Sequence, residues 1–112
     1  MKDAYKKYSE ALNLKPTNKI LLSKIHSNRA MINLKYKNYG KVIEDCKLSV
    51  EFDPTNVKAF YRMGKAYIYL KKYKECMDLL DNQADADLKV LLKEAMDLKT
   101  KEEELQKKIE EK

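Results

Sequence analysis

The chain has 112 residues, with 24 basic and 18 acidic side chains, a formal net charge of +6, and only two glycines and two prolines. A chain of this length holds one domain, and the shortage of glycine argues against β-sandwiches and barrels, whose turns need it. Two isolated glycines also cannot build a glycine-rich phosphate-binding loop. No apolar run is long enough for a transmembrane helix, so the composition predicts a helical domain without a membrane partner.

Apolar residues at helical spacing predict six helices. The predicted ranges are 2–14, 19–36, 39–52, 56–71, 73–81 and 85–112. Pro16 and Pro54 follow the first and third helices and stop them, because proline cannot continue a helix. After Thr100 the sequence is almost entirely charge at i,i+4 spacing. We therefore expect a solvated helical tail there, with the start of a coiled coil as the less favoured alternative.

The sequence repeats itself at two related intervals. Pro-Thr-Asn occurs at 16–18 and again at 54–56, an interval of 38, whereas other pairs recur at an interval of 34. These pairs are Asn28–Arg62, Ala30–Gly64, Leu34–Ile68 and Tyr39–Tyr73. A period of 34 residues is typical of a two-helix solenoid. The four extra residues of the longer interval fall in 19–22, which predicts one added turn at the start of the second helix.

Two segments, 27–56 and 57–80, resemble tetratricopeptide repeats (TPRs) in their small–large spacing and turn tyrosines, and the first also in its closing proline. The resemblance implies an all-α, helix-turn-helix solenoid over residues 1–84. A capping helix that runs into a charged tail would then occupy residues 85–112. The first repeat has only its B helix, so we expect its A helix upstream, in a longer protein.

More narrowly, the chain is similar to co-chaperone TPR domains that grasp the C-terminal aspartate of Hsp90 and Hsp70 in a carboxylate clamp, above all to the tetratricopeptide repeat protein 4 type. Asn28 in the string NRA matches the family's second-helix clamp residue, and Lys58 and Arg62 in NVKAFYR match the third-helix pair. The family's first-helix Lys and Asn have no counterpart. The resemblance implies a cytoplasmic adaptor, also compatible with the nucleus, that binds an acidic C-terminal tail without a cofactor. A general TPR scaffold, or the TPR module of an immunophilin or a phosphatase, remains the alternative.

Helix periodicity also favours a peptide groove at these residues. Lys58 and Arg62 are four residues apart and share one helix face, which would present a basic lane to an extended acidic peptide. Further groove candidates are Lys24, Met31, Lys35, Tyr61 and Lys65. Of these, Tyr61 serves equally well as a packing residue.

The remaining polar residues indicate neither catalysis nor metal binding. His26 is the only histidine and has no ligand at metal spacing, so a packing role is predicted for it. No nucleophile has a base partner, and the acids are predicted to be mainly solvated charge on the B helices and the tail. Cys46 and Cys76 are predicted to be free, buried thiols in a reducing compartment.

The charge and the helix pattern also bear on two other partners. The excess of basic residues lies within residues 1–84, beside many tyrosines, which would suit a nucleic acid; the lack of an RNA-binding motif argues against that partner. The apolar edge of residues 4–12 has no predicted helix beside it. We therefore expect the chain to self-associate through that edge.

Overall fold

The computed structural model of the protein describes residues 2–110. Its helices are α1 (Lys2–Asn13), α2 (Lys19–Lys35), α3 (Tyr39–Phe52), α4 (Val57–Tyr69), α5 (Tyr73–Leu80) and α6 (Ala86–Glu110), and this part of the chain has no strand. The all-α prediction is confirmed, and each described boundary lies within two residues of the predicted one. Positions 111 and 112 of the last predicted helix lie outside the described residues.

The turns after α2 and α4 have the same backbone form. Lys37 and Lys71 both adopt the left-handed conformation, with φ of 62° and 60°. In each turn the next N–H bonds to a carbonyl five residues back, which satisfies a free carbonyl at the helix end. The two bonds are Asn38–Asn33 and Lys72–Tyr67, both 2.8 Å. Equivalent atoms are 34 residues apart, so the period of the sequence is also the period of the backbone.

The repeated Pro-Thr-Asn string supplies the cap of the following helix. The side-chain oxygen of Asn18 accepts from the backbone N–H of Leu21, and that of Asn56 accepts from Ala59. Asparagine is among the preferred N-cap residues because it satisfies a free N–H of the first turn. The α2 helix has 17 residues and α4 has 13, so the predicted added turn at 19–22 is confirmed.

The six helices form two layers. The inner layer consists of α2, α4 and α6, which contact one another in succession. The outer layer consists of α1, α3 and α5, which within residues 2–110 contact only their neighbours along the chain. The close approach of α6 to α4 depends on Gly64, because a Cβ atom there would lie 2.8 Å from the Leu91 side chain. This contact brings α6 beside α4, which carries Lys58 and Arg62 of the predicted site.

The thiols of Cys46 and Cys76 are free and buried, as predicted. Burial raises the pKa of Cys46 to about 12 and that of Cys76 to about 11, so both remain protonated at neutral pH. No helix in the described part of the chain is long and apolar enough to span a bilayer. The first helix, α1, packs only against α2 among these residues. Self-association through residues 4–12 stays a prediction.

Candidate functional site

A buried polar cluster joins the start of α4 to α2 and α3. Ser23 and Ser49 are fully buried, and each hydroxyl donates to the other residue's backbone carbonyl at 2.7 Å. The Asn56 side-chain amide donates to both hydroxyl oxygens, at 2.9 and 3.1 Å. Asn56 also caps α4, so the cluster fixes the start of α4 relative to α2. The positions of Lys58 and Arg62 on α4 are thereby fixed relative to α2 as well.

A second buried network joins α2 to α3 through Asp45. Arg29 donates to both carboxylate oxygens, with Nη2 at 2.6 Å from Oδ1 and Nε at 3.0 Å from Oδ2. Asn33 Nδ2 donates to Oδ2 at 3.2 Å, and His26 Nδ1 lies 3.1 Å from Oδ1. The His26 ring stacks on Phe52 with centroids 6.0 Å apart, so its predicted packing role is confirmed.

Asp45 is an exception to the prediction that the acids are solvated, since only 3% of its surface is exposed. Burial alone would raise the pKa of Asp45, but the hydrogen bonds from His26 and Arg29 outweigh it and hold that pKa below its ordinary value. The same hydrogen bond raises the pKa of Arg29. A buried carboxylate is tolerated here because a guanidinium, an imidazole and an amide surround it.

Arg62 extends from α4 towards α2 and is half-buried. Its Nη1 donates to the Ser27 carbonyl at 2.6 Å and to the Ser27 hydroxyl at 2.8 Å. Ser27 immediately precedes Asn28, so the guanidinium lies beside that residue's backbone. Burial lowers the pKa of Arg62, and within residues 2–110 no carboxylate forms an ion pair with it. The remaining guanidinium nitrogens can donate to an anion from outside the chain.

The predicted clamp residues line two adjoining cavities. Lys58 and Arg62 line a groove of about 580 Å³ between α2, α4 and α6. Lys58 and Asn28 line a neighbouring cavity of about 380 Å³ over the start of α4. The cavities share Val57 and Lys58. The fold therefore places an amide, an exposed ammonium and a half-buried guanidinium along one surface.

The five further groove candidates divide into three groups. Lys24 lines the smaller cavity and Tyr61 lines the larger groove. Lys65 lies beside the groove, with Nζ 3.8 Å from Glu94 and 5.8 Å from the centre of the Tyr61 ring. Met31 and Lys35 line neither cavity, although both lie on α2. The structure thus brings Lys24, Tyr61 and Lys65 to the clamp residues and leaves the other two apart.

The wall of the groove formed by α6 was missed in the sequence analysis. Asp87, Val90, Leu91 and Glu94 all line the groove. Their spacing of i, i+3, i+4 and i+7 is the signal that they share one helix face. The segment was interpreted only as a cap for the solenoid, which accounts for Leu91 but not for the two acids beside it.

The repeated backbone, the layered helices and the inner-layer groove are those of a TPR solenoid. Comparison of the sequence with models of protein families finds no match. The tetratricopeptide repeat protein 4 homolog of Dictyostelium discoideum is 44% identical over 79 residues, which cover 70% of this chain and 20% of the relative. The chain belongs to the tetratricopeptide-repeat family.

The Hsp70/Hsp90 co-chaperone CNS1 of Saccharomyces cerevisiae is 34% identical over 112 residues, covering 97% of this TPR chain and 29% of the relative. The solved structure of that Hsp90 co-chaperone superposes with a TM-score of 0.77 at 33% identity, covering 98% of this chain and 38% of the other. The TPR chain thus spans less than a third of the length of these curated relatives. The name of the first relative and the co-chaperone name of the second support the predicted resemblance.

A solved complex supplies a ligand for comparison. The second TPR domain of human RPAP3, in complex with the HSP70 peptide SGPTIEEVD, superposes with a TM-score of 0.60 at 25% identity. The match covers 66% of each chain. That peptide ends in an aspartate.

Proposed function

We propose that this chain is a binding module, rather than an enzyme, that holds the acidic C-terminal tail of Hsp90 or Hsp70 chaperones in the groove between α2, α4 and α6. The observation that carries the proposal is the half-buried Arg62 guanidinium, which is anchored on Ser27 and has no carboxylate partner in residues 2–110. A partly desolvated cation without a counter-ion favours an anionic ligand.

Each clamp residue contributes a different interaction. Arg62 has a planar fork of donors that can bond both oxygens of one carboxylate, whereas Lys58 acts as an exposed point charge. Asn28 offers an amide donor in the adjoining cavity. Each charge-assisted hydrogen bond contributes about 1.5–3 kcal/mol, so a few suffice to anchor the end of a short peptide.

The co-chaperone names of the relatives support an adaptor role and, with it, a place in the cytoplasm, where a tail-binding co-chaperone would meet its partners. The RPAP3 complex supports the chemical class of ligand, because its peptide ends in acidic and aliphatic residues. A general TPR scaffold is the rival account. It gives no reason for an anionic terminus to be favoured at Arg62.

Titration with the peptide SGPTIEEVD, measured by calorimetry, tests the proposal. We expect Arg62→Ala to weaken binding by about 2 kcal/mol, roughly a thirtyfold rise in Kd. The matched control is Lys74→Ala, which removes an exposed cation from α5, outside the groove. The control should bind as the wild type does.

Circular dichroism should show the same helical content in all three proteins. Equal binding by Arg62→Ala and the wild type would favour the general scaffold. Running the Hsp90 tail in parallel would show which chaperone is preferred.

A further inference from the structure

The two walls of the groove carry opposite charges. On α4, Lys58, Arg62 and Lys65 are spaced i, i+4 and i+7 and share one face. On α6, Asp87 and Glu94 are seven residues apart and line the opposite side. The groove therefore has an acidic wall on α6 opposite the predicted basic lane on α4.

The acids on α6 are available to a ligand. Glu94 lies 3.8 Å from Lys65, with 45% of its side chain exposed, so the pair is loose and solvated. Among residues 2–110 no basic group lies within 4.0 Å of the Asp87 carboxylate. A peptide residue that faces α6 would thus meet negative charge.

The surface between the two charged walls is apolar. Val57 and Tyr61 of α4 and Val90 of α6 are all exposed and line the groove. A groove of this kind fits an extended peptide that has a carboxylate at its α4 side and no negative charge at its α6 side. The complementary occupant is a peptide whose acids are confined to the part that lies against Arg62 and Lys58.

We propose that Asp87 and Glu94 make α6 a charge filter, which disfavours acid-ended peptides with an acidic residue facing α6 and favours those with a neutral or basic residue there. The inference rests on the proposed function, because Arg62 must first hold the peptide's acidic end. Like charges across a specific interface act against the wrong partner, whereas attraction to Arg62 alone would accept every acidic tail.

A peptide scan tests the filter. Each residue of the Thr-Ile-Glu-Glu segment of SGPTIEEVD is replaced in turn by glutamate, glutamine and lysine, and Kd is measured for the wild type, Asp87→Asn and Glu94→Gln. At the position facing α6 the wild type should bind the lysine peptide best and the glutamate peptide worst. Each variant should lower the ratio of the Kd of the glutamate peptide to that of the lysine peptide by about two- to fivefold. This is the size expected for a partly exposed charge pair.

Glu103→Gln is the matched control. It also removes one acid of α6 and one lysine ion pair, that with Lys99. It lies nine residues beyond Glu94, about 13 Å along the helix and beyond the screening length of about 8 Å. This variant should keep the wild-type preference.

The outcomes separate the filter from the clamp. One result would overturn the filter and leave the clamp intact. In that result binding depends on Arg62, but wild type, Asp87→Asn and Glu94→Gln show the same charge preference at every scanned position. The filter would also be overturned if Glu103→Gln changed the charge preference as much as Asp87→Asn and Glu94→Gln do. The effect would then arise from the net charge of the chain rather than from the groove. Absence of any binding to SGPTIEEVD would overturn both.

Discussion

Arg29 on α2 and Arg62 on α4 both lie partly buried on neighbouring inner helices, yet they meet different surroundings. Arg29 donates to both oxygens of Asp45, which also contacts His26 and Asn33. Arg62 donates to Ser27 and, among residues 2–110, pairs with no acid. The first arginine completes a network that holds α2 to α3, and the second is the cation that we propose for the peptide's carboxylate. The difference lies in the counter-ion, since both residues are buried to a similar degree.

Removing the internal carboxylate should produce the largest effect. We expect Asp45→Asn to lower the free energy of unfolding by about 3 kcal/mol, because it leaves the partly buried Arg29 guanidinium without its counter-ion and disturbs the contact with His26. Urea denaturation measures the change. Glu44→Gln, on the exposed face of the same helix, is the control and should change stability by less than about 0.5 kcal/mol. Similar stabilities for the two variants would show that the network contributes little.

The pH dependence of stability should follow the same carboxylate. In the folded chain the pKa of Asp45 lies below its ordinary value of 3.8, so its interactions contribute stability above pH 3.8. That contribution is lost as the pH falls through the lower, folded-state pKa. The stability difference between wild type and Asp45→Asn should therefore narrow in urea titrations from about pH 6 to about pH 2. A difference that stays constant would mean that the pKa of Asp45 is the same in the folded and the unfolded chain.

A smaller effect should follow from adding a side chain at Gly64, where α6 packs closely on α4. A Cβ atom there would lie 2.8 Å from Leu91 and 3.3 Å from Leu80, so we expect Gly64→Val to destabilise the fold by about 1–3 kcal/mol. Gly40→Ala is the control, because nothing lies within 4 Å of its new Cβ. Thermal unfolding should show the control unchanged or stabilised by up to about 1 kcal/mol. Equal stability of the two variants would contradict close packing of α6.

Much of the fold was predictable because it rests on local, repeated signals. The Pro-Thr-Asn caps and the interval of 34 residues fix the helices, the turns and the place of the added turn. The buried state of Asp45 was not predictable in this way, since it depends on His26, Arg29 and Asn33 arriving from another helix. A single acid on an amphipathic helix gives no sign of such partners.

The groove was predictable only in part. Asn28, Lys58 and Arg62 were located by their spacing and by a family resemblance, and the structure places them along one surface. The loose pairing of Lys65 with Glu94 and the acidic wall of α6 arise from how α6 packs on α4. That packing depends on the absence of a side chain at Gly64, which lets Leu91 of α6 approach α4 closely. Helix periodicity does not indicate a long-range contact of this kind.

The proposed clamp requires that Arg62 bind the terminal carboxylate of the peptide. A double-mutant cycle measures it directly: wild type and Arg62→Ala are each titrated with SGPTIEEVD as the free acid and as the C-terminal amide. We expect a coupling energy of about 1.5 kcal/mol or more, because each change removes the same charge-assisted interaction. A coupling near zero, with the two changes simply adding, would contradict the clamp.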